Sequence, residues 1–278
     1  MERVAVQARD RAGALWRTAT APLGGPRALP GALIIGTQRG GSTALYHSLV
    51  RHPHVAGARI AKEVHFFDLS WGSGPAWYRS FFPNQSRMRG RIAIEASPYY
   101  LFHPLVAQRI ASLLPDARLI ALLRDPVGRA ISHHAHEVQL GFEDLSFQEA
   151  IAAEPARLQW EEERLLRDPS YRSFEHQHHS YLGRGEYAKQ LKRYLDVFPR
   201  ERLLIIRSED AFRDPVAASA RVQSFLGLDV VPLPWGGGRN AAPPTGSIDP
   251  GFVVELKARM ASSVRETEEL LGEEMGWS

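Results

Sequence analysis

The sequence predicts a single α/β domain in which a central parallel sheet is flanked by helices. Three observations carry this expectation. Four short, almost uninterrupted apolar runs read as strands covered on both faces, amphipathic helical patterns fall between them, and the first run passes through a glycine pair straight into a helix. Parallel neighbours need a crossover, usually a helix, so strand alternating with helix is the signature of such a sheet.

The first strand is expected at Ala32–Gly36, after a segment, Pro22 to Gly31, with three prolines and three glycines that reads as a linker. Residues 1–30 are accordingly a leader and linker, and 31–278 the domain. The helix after the first strand spans Thr43 to Val50, burying Ala44, Leu45, Leu49 and Val50, and Pro53 ends it. Further strands are expected in "RIAIEAS" (Arg91–Ser97), "ARLIALLRDP" (Ala117–Pro126) and "ERLLIIRSED" (Glu201–Asp210). Helical patterns lie between them in "HPLVAQRIASLLP" and "GEYAKQLKRYLDVFP", the latter with Tyr187, Leu191, Tyr194, Leu195 and Phe198 along one face. Ser146 to Arg167 is helical and charged, an insertion on the outside of the sheet with a solvated face. "DVVPLPWGGGRNAAPPTGS" reads as a long covering loop, and a last helix runs from about Asp249 to Leu271.

Composition narrows the partners. With 34 Lys and Arg against 31 Asp and Glu, the net charge is +3, and no long basic run occurs. That suits a small anionic ligand better than a nucleic acid. The absence of cysteine excludes disulfides, thiolate metal sites and a cysteine nucleophile. No window approaches the ~20 apolar residues of a membrane span. The first 30 residues lack the apolar run of a secretory signal, and Arg3, Arg9, Arg11 and Arg17 among Val4, Val6, Leu15 and Trp16 form a weakly amphipathic stretch. That stretch is either a frayed leader or a peripheral contact with a membrane or partner. A cytoplasmic enzyme is the expected setting, and oligomeric state is not legible.

The chemistry starts at "LIIGTQRGGSTALYHSL", a P-loop-like strand, glycine turn and helix. A triphosphatase loop reads GxxxxGK[ST], and here Gly36 and Gly41 have the right spacing while Ser42 replaces the lysine. Gly40 and Gly41 open the backbone to an oxyanion, the helix contributes its positive end, and Gln38, Arg39, Ser42 and Thr43 add polar contacts. The alternative is that two glycines make nothing more than a tight strand-to-helix turn. In "AKEVHFFD", Lys62, Glu63 and His65 stand beside two phenylalanines, where ionisable groups are paired or used; a structural Lys62–Glu63 ion pair competes with catalysis. In "LLRDPVGRAISHH", Arg124 ends an apolar strand, where ligands gather in open α/β sheets, and Ser132 lies two helical turns on. The alternative is an Asp125 helix cap paired with Arg124. "HHAHE" and "HQHHS" lack any recognised metal-ligand spacing, so no metal is expected and some of these histidines line a polar cleft.

Together and in this order, "QRGGSTAL", "KEVHFFD", "EASPYY", "LLRDPVGRAIS" and "RGEYAKQLKRYLDVFPRERLLIIRSEDAFRDP" resemble the sulfotransferases that use 3′-phosphoadenosine 5′-phosphosulfate (PAPS), notably the heparan-sulfate-type branch and its bacterial relatives. The resemblance runs from about Pro30 to the C-terminus and implies the sulfotransferase fold. It implies that the loop from Gln38 to Thr43 grips the phosphosulfate, that Glu63 deprotonates the acceptor with Lys62 and His65 beside it, and that Arg124 and Ser132 hold the 3′-phosphate. Glu95, Ser97 and Tyr99 correspond to a substrate-side segment, and Arg239 to a contact from the loop over the nucleotide. The family's loop usually carries lysine where this chain has Arg39, which implies electrostatic stabilisation rather than proton donation. Trp77, with Trp71, Tyr78 and the tyrosines at 99 and 100, offers an aromatic wall for an acceptor or a piece of core. The implied acceptor is a hydroxyl or amine of a glycan, glycolipid or small molecule. A small-molecule kinase with Asp125 on Mg²⁺, and a non-catalytic glycan-binding protein, are the competing readings.

Overall fold

The structure, a computed structural model, describes residues 26–234 and 248–277. In chain order its strands and helices are β1 (Ala32–Gly36), α1 (Ser42–Leu49), β2 (Val55–Gly57), α2 (Phe66–Leu69), α3 (Gly74–Arg79), β3 (Ile92–Ala96), α4 (Val106–Leu113), β4 (Arg118–Leu123) and α5 (Pro126–Gln139). There follow α6 (Phe147–Leu158), α7 (Glu161–Arg167), α8 (Phe174–His178), α9 (Tyr187–Leu195), β5 (Leu203–Arg207), α10 (Ser208–Arg213), α11 (Pro215–Phe225) and α12 (Pro250–Leu271). No described helix is long and apolar enough to cross a membrane.

The five strands are all parallel, in the order β2-β3-β1-β4-β5. Strand side chains alternate between faces, and both faces are covered, which is why these segments read as continuous apolar runs. Leu33, Ile35, Leu119, Ala121, Leu203 and Ile205 join one core with Ile110 of α4, Leu191 and Tyr194 of α9 and Val264 of α12. Ala32, Ile34, Ile94, Ile120, Leu122 and Ile206 face the other way, onto Leu45 and Leu49 of α1 and Val222 of α11. Each fully buried Leu or Ile contributes about 1.5–3 kcal/mol.

Several expectations are revised. The short edge strand β2 was not anticipated: three residues carry too little pattern, and pairing with β3 creates it. The end of the expected linker is part of the domain, because Arg27 bridges to Asn84, the Ala28 N–H donates to the Pro83 carbonyl at 2.9 Å and Ala28 is buried. The charged insertion is two helices, broken where Trp160 takes a left-handed φ of 65°. Its apolar side builds a satellite core: Phe147, Ala150 and Ile151 of α6 pack with Val127 and Ala130 of α5 and Leu256 and Met260 of α12. The amphipathic leader and Arg239 lie outside the described residues.

The strand order reverses across β1, whose neighbours are β3 and β4. The turns at the carboxyl ends of β1 and β4 are therefore adjacent, and the crevice they form is where this architecture collects ligands.

Candidate functional site

The turn after β1 is built around two glycines. A side chain at Gly40 would place its Cβ 2.9 Å from the Leu122 carbonyl and 2.9 Å from the Thr37 methyl, so only glycine lets the turn lie against β4. Gly41 has φ 102° and is the N-cap of α1. Ser42 and Thr43 are thus the first two residues of the helix rather than its cap. The Gly40 N–H is engaged by the Thr37 carbonyl at 3.0 Å, so the donors left for an anion are those of the first helical turn, which have no partner within the helix. The Gly40 carbonyl accepts from the Ser208 hydroxyl at 2.7 Å, pinning the turn to the start of α10.

Gln38, Arg39, Gly41, Ser42 and Thr43 line one wall of a cavity of about 880 Å³; Arg124, Asp125, Gly128, Ser132 and His136 line another, and Glu63 and Pro98 a third. The two expected phosphate motifs therefore share one crevice. They also touch: the Arg39 guanidinium donates to the Ser132 hydroxyl at 3.0 Å, and Arg124 donates to the Arg39 carbonyl at 3.1 Å. Asp125 does cap α5, accepting from the Gly128 N–H at 2.9 Å, but Arg124 turns to the loop. The cap reading of Asp125 therefore holds, without the Arg124–Asp125 pair it included.

Glu63, more than a third exposed at the cavity, is the centre of a charged chain. Lys62 Nζ lies 2.6 Å from Glu63 Oε1 and donates to the Thr43 hydroxyl at 2.8 Å. His65 Nε2 lies 3.2 Å from Glu63 Oε2, and its Nδ1 lies 2.7 Å from Asp68, whose side chain has no exposure. Burial alone would raise the Glu63 carboxyl, but the hydrogen bond from His65 and the charge of Lys62 outweigh it and hold the group at about 2. Burial likewise opposes the charge on His65, and Asp68 overrides it, pushing the imidazole up to about 10. At neutral pH Glu63 is therefore a carboxylate and His65 an imidazolium.

A second network braces the loop from behind. Gln38 accepts from the fully buried Arg184 and donates to Glu137 at 3.2 Å, and Glu137 also accepts from His178 at 2.9 Å. His133 Nε2 lies 3.1 Å from Glu137, with burial holding the imidazole well below its usual range, hence neutral. Of the "HHAHE" group only His136 reaches the cavity, and burial and Arg39 lower it. No described group of three or more His, Asp or Glu is placed to hold a metal.

The substrate-side expectations are corrected. Glu95 and Ser97 have no exposure and Tyr99 almost none. Glu95 accepts from Tyr78, from Tyr100 at 2.7 Å and from Ser97 at 2.7 Å, while Tyr99 bonds His176 Nδ1 at 2.7 Å. An interior carboxylate with three hydroxyl donors is a structural hub, not an acceptor contact. Tyr78, Tyr99 and Tyr100 are buried and Phe66 stacks on Tyr78 at 4.4 Å, while Trp71 and Trp77 are partly buried against that core, Trp77 with its ring centroid 4.7 Å from that of Phe81.

Sequence reasoning missed Asp68, Ser208, Glu209 and Phe212, the last three lining the cavity. Asp68 follows His65 by one helical turn, and that spacing was a usable signal. Ser208 and Glu209 directly follow β5, so their position at a strand's carboxyl end was another. Glu209 accepts from the Asp125 N–H at 2.9 Å and the Trp277 indole at 3.2 Å.

A glycine strand–turn–helix, a second cationic strand end and a carboxylate thus line one cavity at the carboxyl ends of a parallel α/β sheet, the arrangement of an α/β transferase. The chain belongs to the sulfotransferase family: the family model described as "Sulfotransferase domain" matches residues 29–233. It is 35% identical over 209 residues to the Homo sapiens heparan sulfate glucosamine 3-O-sulfotransferase 3B1, covering 73% of this chain and 47% of that protein. It is 36% identical over 211 residues to the Homo sapiens bifunctional heparan sulfate N-deacetylase/N-sulfotransferase 3, covering 72% and 22% respectively. The matched region thus spans less than half of these curated relatives. A sulfotransferase from Alicyclobacillus acidocaldarius has a similar structure, with TM-score 0.71 and 31% identity, covering 90% of this chain and 99% of that one. These likenesses support a sulfotransferase domain similar to those of the heparan sulfate sulfotransferases.

Proposed function

We propose that the domain moves a sulfuryl group from PAPS to a hydroxyl or amine by in-line transfer, leaving adenosine 3′,5′-bisphosphate. The observation that carries this reading is the placement of Glu63 in the same cavity as both phosphate motifs. The first turn of α1 and Arg39 receive the 5′ group, and Arg124 and Ser132 receive the 3′-phosphate. As the acceptor oxygen or nitrogen bonds to sulfur, its proton passes to Glu63 and the bridging S–O bond breaks. Its electrons go to the 5′-phosphate, where Arg39 and the helix start balance the added charge. Arg39 stays charged throughout and does not donate a proton. His65, held protonated by Asp68, orients Glu63.

A glycan is the first acceptor class to test, a choice supported by the heparan sulfate in the relatives' names, with glycolipid and small-molecule hydroxyls beside it. No metal enters the reaction. Adenosine 3′,5′-bisphosphate without Mg²⁺ is expected to raise the melting temperature, a ligand at 100 times its Kd adding about 2.7 kcal/mol. Labelled sulfate from PAPS is expected to appear on a member of an acceptor panel. Stabilisation by ATP with Mg²⁺ and none by the bisphosphate would overturn the reading in favour of a kinase. Binding without transfer to any acceptor would favour a glycan-binding protein.

A further inference from the structure

A carboxylate held at about 2 by its neighbours is a weak base, and the structure identifies which neighbour can leave. Lys62 is bonded on both sides of the site. Its ammonium lies 2.6 Å from Glu63 and 2.8 Å from the Thr43 hydroxyl, on the first turn of the helix that faces the cavity. The cavity's arginines bond other groups than Glu63, Arg39 the Ser132 hydroxyl and Arg124 the Arg39 carbonyl. We propose that Lys62 is a shared cation that clamps Glu63 until the 5′ group of a bound nucleotide draws it away, so that Glu63 becomes a stronger base once the nucleotide has bound.

The inference rests on the sulfotransfer reading and adds an order of events to it. A lysine ammonium is a compact charge on a four-carbon stem, able to pivot between two anions without moving the backbone. Thr43 lies at the positive end of α1, where a phosphate or phosphosulfate is most stabilised, and Lys62 is already within hydrogen-bonding distance of it. His65, backed by Asp68, keeps its own contact with Glu63 when Lys62 swings, so the carboxylate stays aimed at the cavity. The fourth ionisable side chain near Glu63, His136 across the cavity, is kept neutral by burial and Arg39 and does not replace the lysine. Because one ammonium cannot pair fully with two anions, Glu63 and the nucleotide compete for it. By linkage, removing Glu63 then strengthens nucleotide binding through Lys62.

The test is a double-mutant cycle on the full chain, read as the Kd of adenosine 3′,5′-bisphosphate by calorimetry, with no acceptor and no turnover. Glu63→Gln is expected to tighten binding about tenfold when Lys62 is present, within the range usual for coupled sites. Lys62→Gln is expected to weaken binding, and adding Glu63→Gln to it to change the Kd by less than about twofold. Lys62→Met, which keeps the stem, substitutes if the Gln variant is unstable. Equal tightening in both lysine backgrounds would mean general charge repulsion and would overturn the shared-cation role, as would no tightening at all. Failure of all four proteins to bind the bisphosphate, with ATP and Mg²⁺ binding intact, would instead remove the sulfotransfer reading on which the proposal rests.

Discussion

Asp68→Asn separates the electrostatics of the site from its packing. Asp68 is fully buried, and its carboxylate lies 2.7 Å from His65 Nδ1. Asparagine has the same shape and can still accept from the Leu69 N–H, which now bonds Asp68 Oδ1 at 2.6 Å. What disappears is the charge that keeps His65 protonated. A hydrogen bond to a charged group is worth about 1.5–3 kcal/mol, and with His65 26% exposed a middle value of about 2 kcal/mol is appropriate. For a domain of this size that corresponds to roughly 4–8 °C in Tm. The sign of the pH dependence follows from the raised imidazole, about 10 in the fold against 6.5 for a free one. Its contribution is complete below pH 6.5, declines as pH rises, and is lost above about 10. Thermal melts of both proteins between pH 6 and pH 10 should therefore show a gap that is widest at the acid end and closes at the alkaline end. A gap of constant size would mean that the variant loses packing rather than an ion pair, and the charged chain through His65 would be refuted.

Glu63→Gln should lower the transfer rate about 10²- to 10⁴-fold in a labelled-PAPS assay while the nucleotide still binds; full activity would remove Glu63 as the base. Arg124→Ala should weaken adenosine 3′,5′-bisphosphate far more than AMP in calorimetry, because only the former carries a 3′-phosphate; equal losses would sink that assignment. Gly40→Ala should abolish measurable bisphosphate binding while secondary structure by circular dichroism is kept, since a methyl 2.9 Å from the Leu122 carbonyl forces the turn off β4. Normal affinity in that variant would show that the turn has room to adapt.

Much of the fold was legible because its signals are local. Leu33 to Leu49 forms a strand, turn and helix within one short segment, and the apolar runs at β3, β4 and β5 announce strands buried on both faces. Only three residues form β2, and its identity depends on β3. Glu95 and Trp77 were legible as residue types and not as orientations. Glu95 lies on β3, where adjacent side chains face opposite ways, and Trp77 on the helix α3; in both, what packs against a given face decides whether it meets core or cavity. Arg239 carried a sequence expectation and lies outside the described residues.

By itself the sequence determined the class of protein: a parallel α/β sheet carrying a phosphate loop, an acidic segment and a cationic strand end in the order found in sulfotransferases. The tertiary structure decided how those parts meet. Arg39 reaches Ser132, 93 positions away, and Lys62 reaches Thr43, 19 positions away, because the order β2-β3-β1-β4-β5 sets distant turns side by side. Contacts of that kind follow from strand pairing and from the burial of both sheet faces, neither of which is a property of any short segment. For the same reason Lys62 could be seen in sequence as a partner of its neighbour Glu63, and only in the fold as a bridge to the first turn of α1.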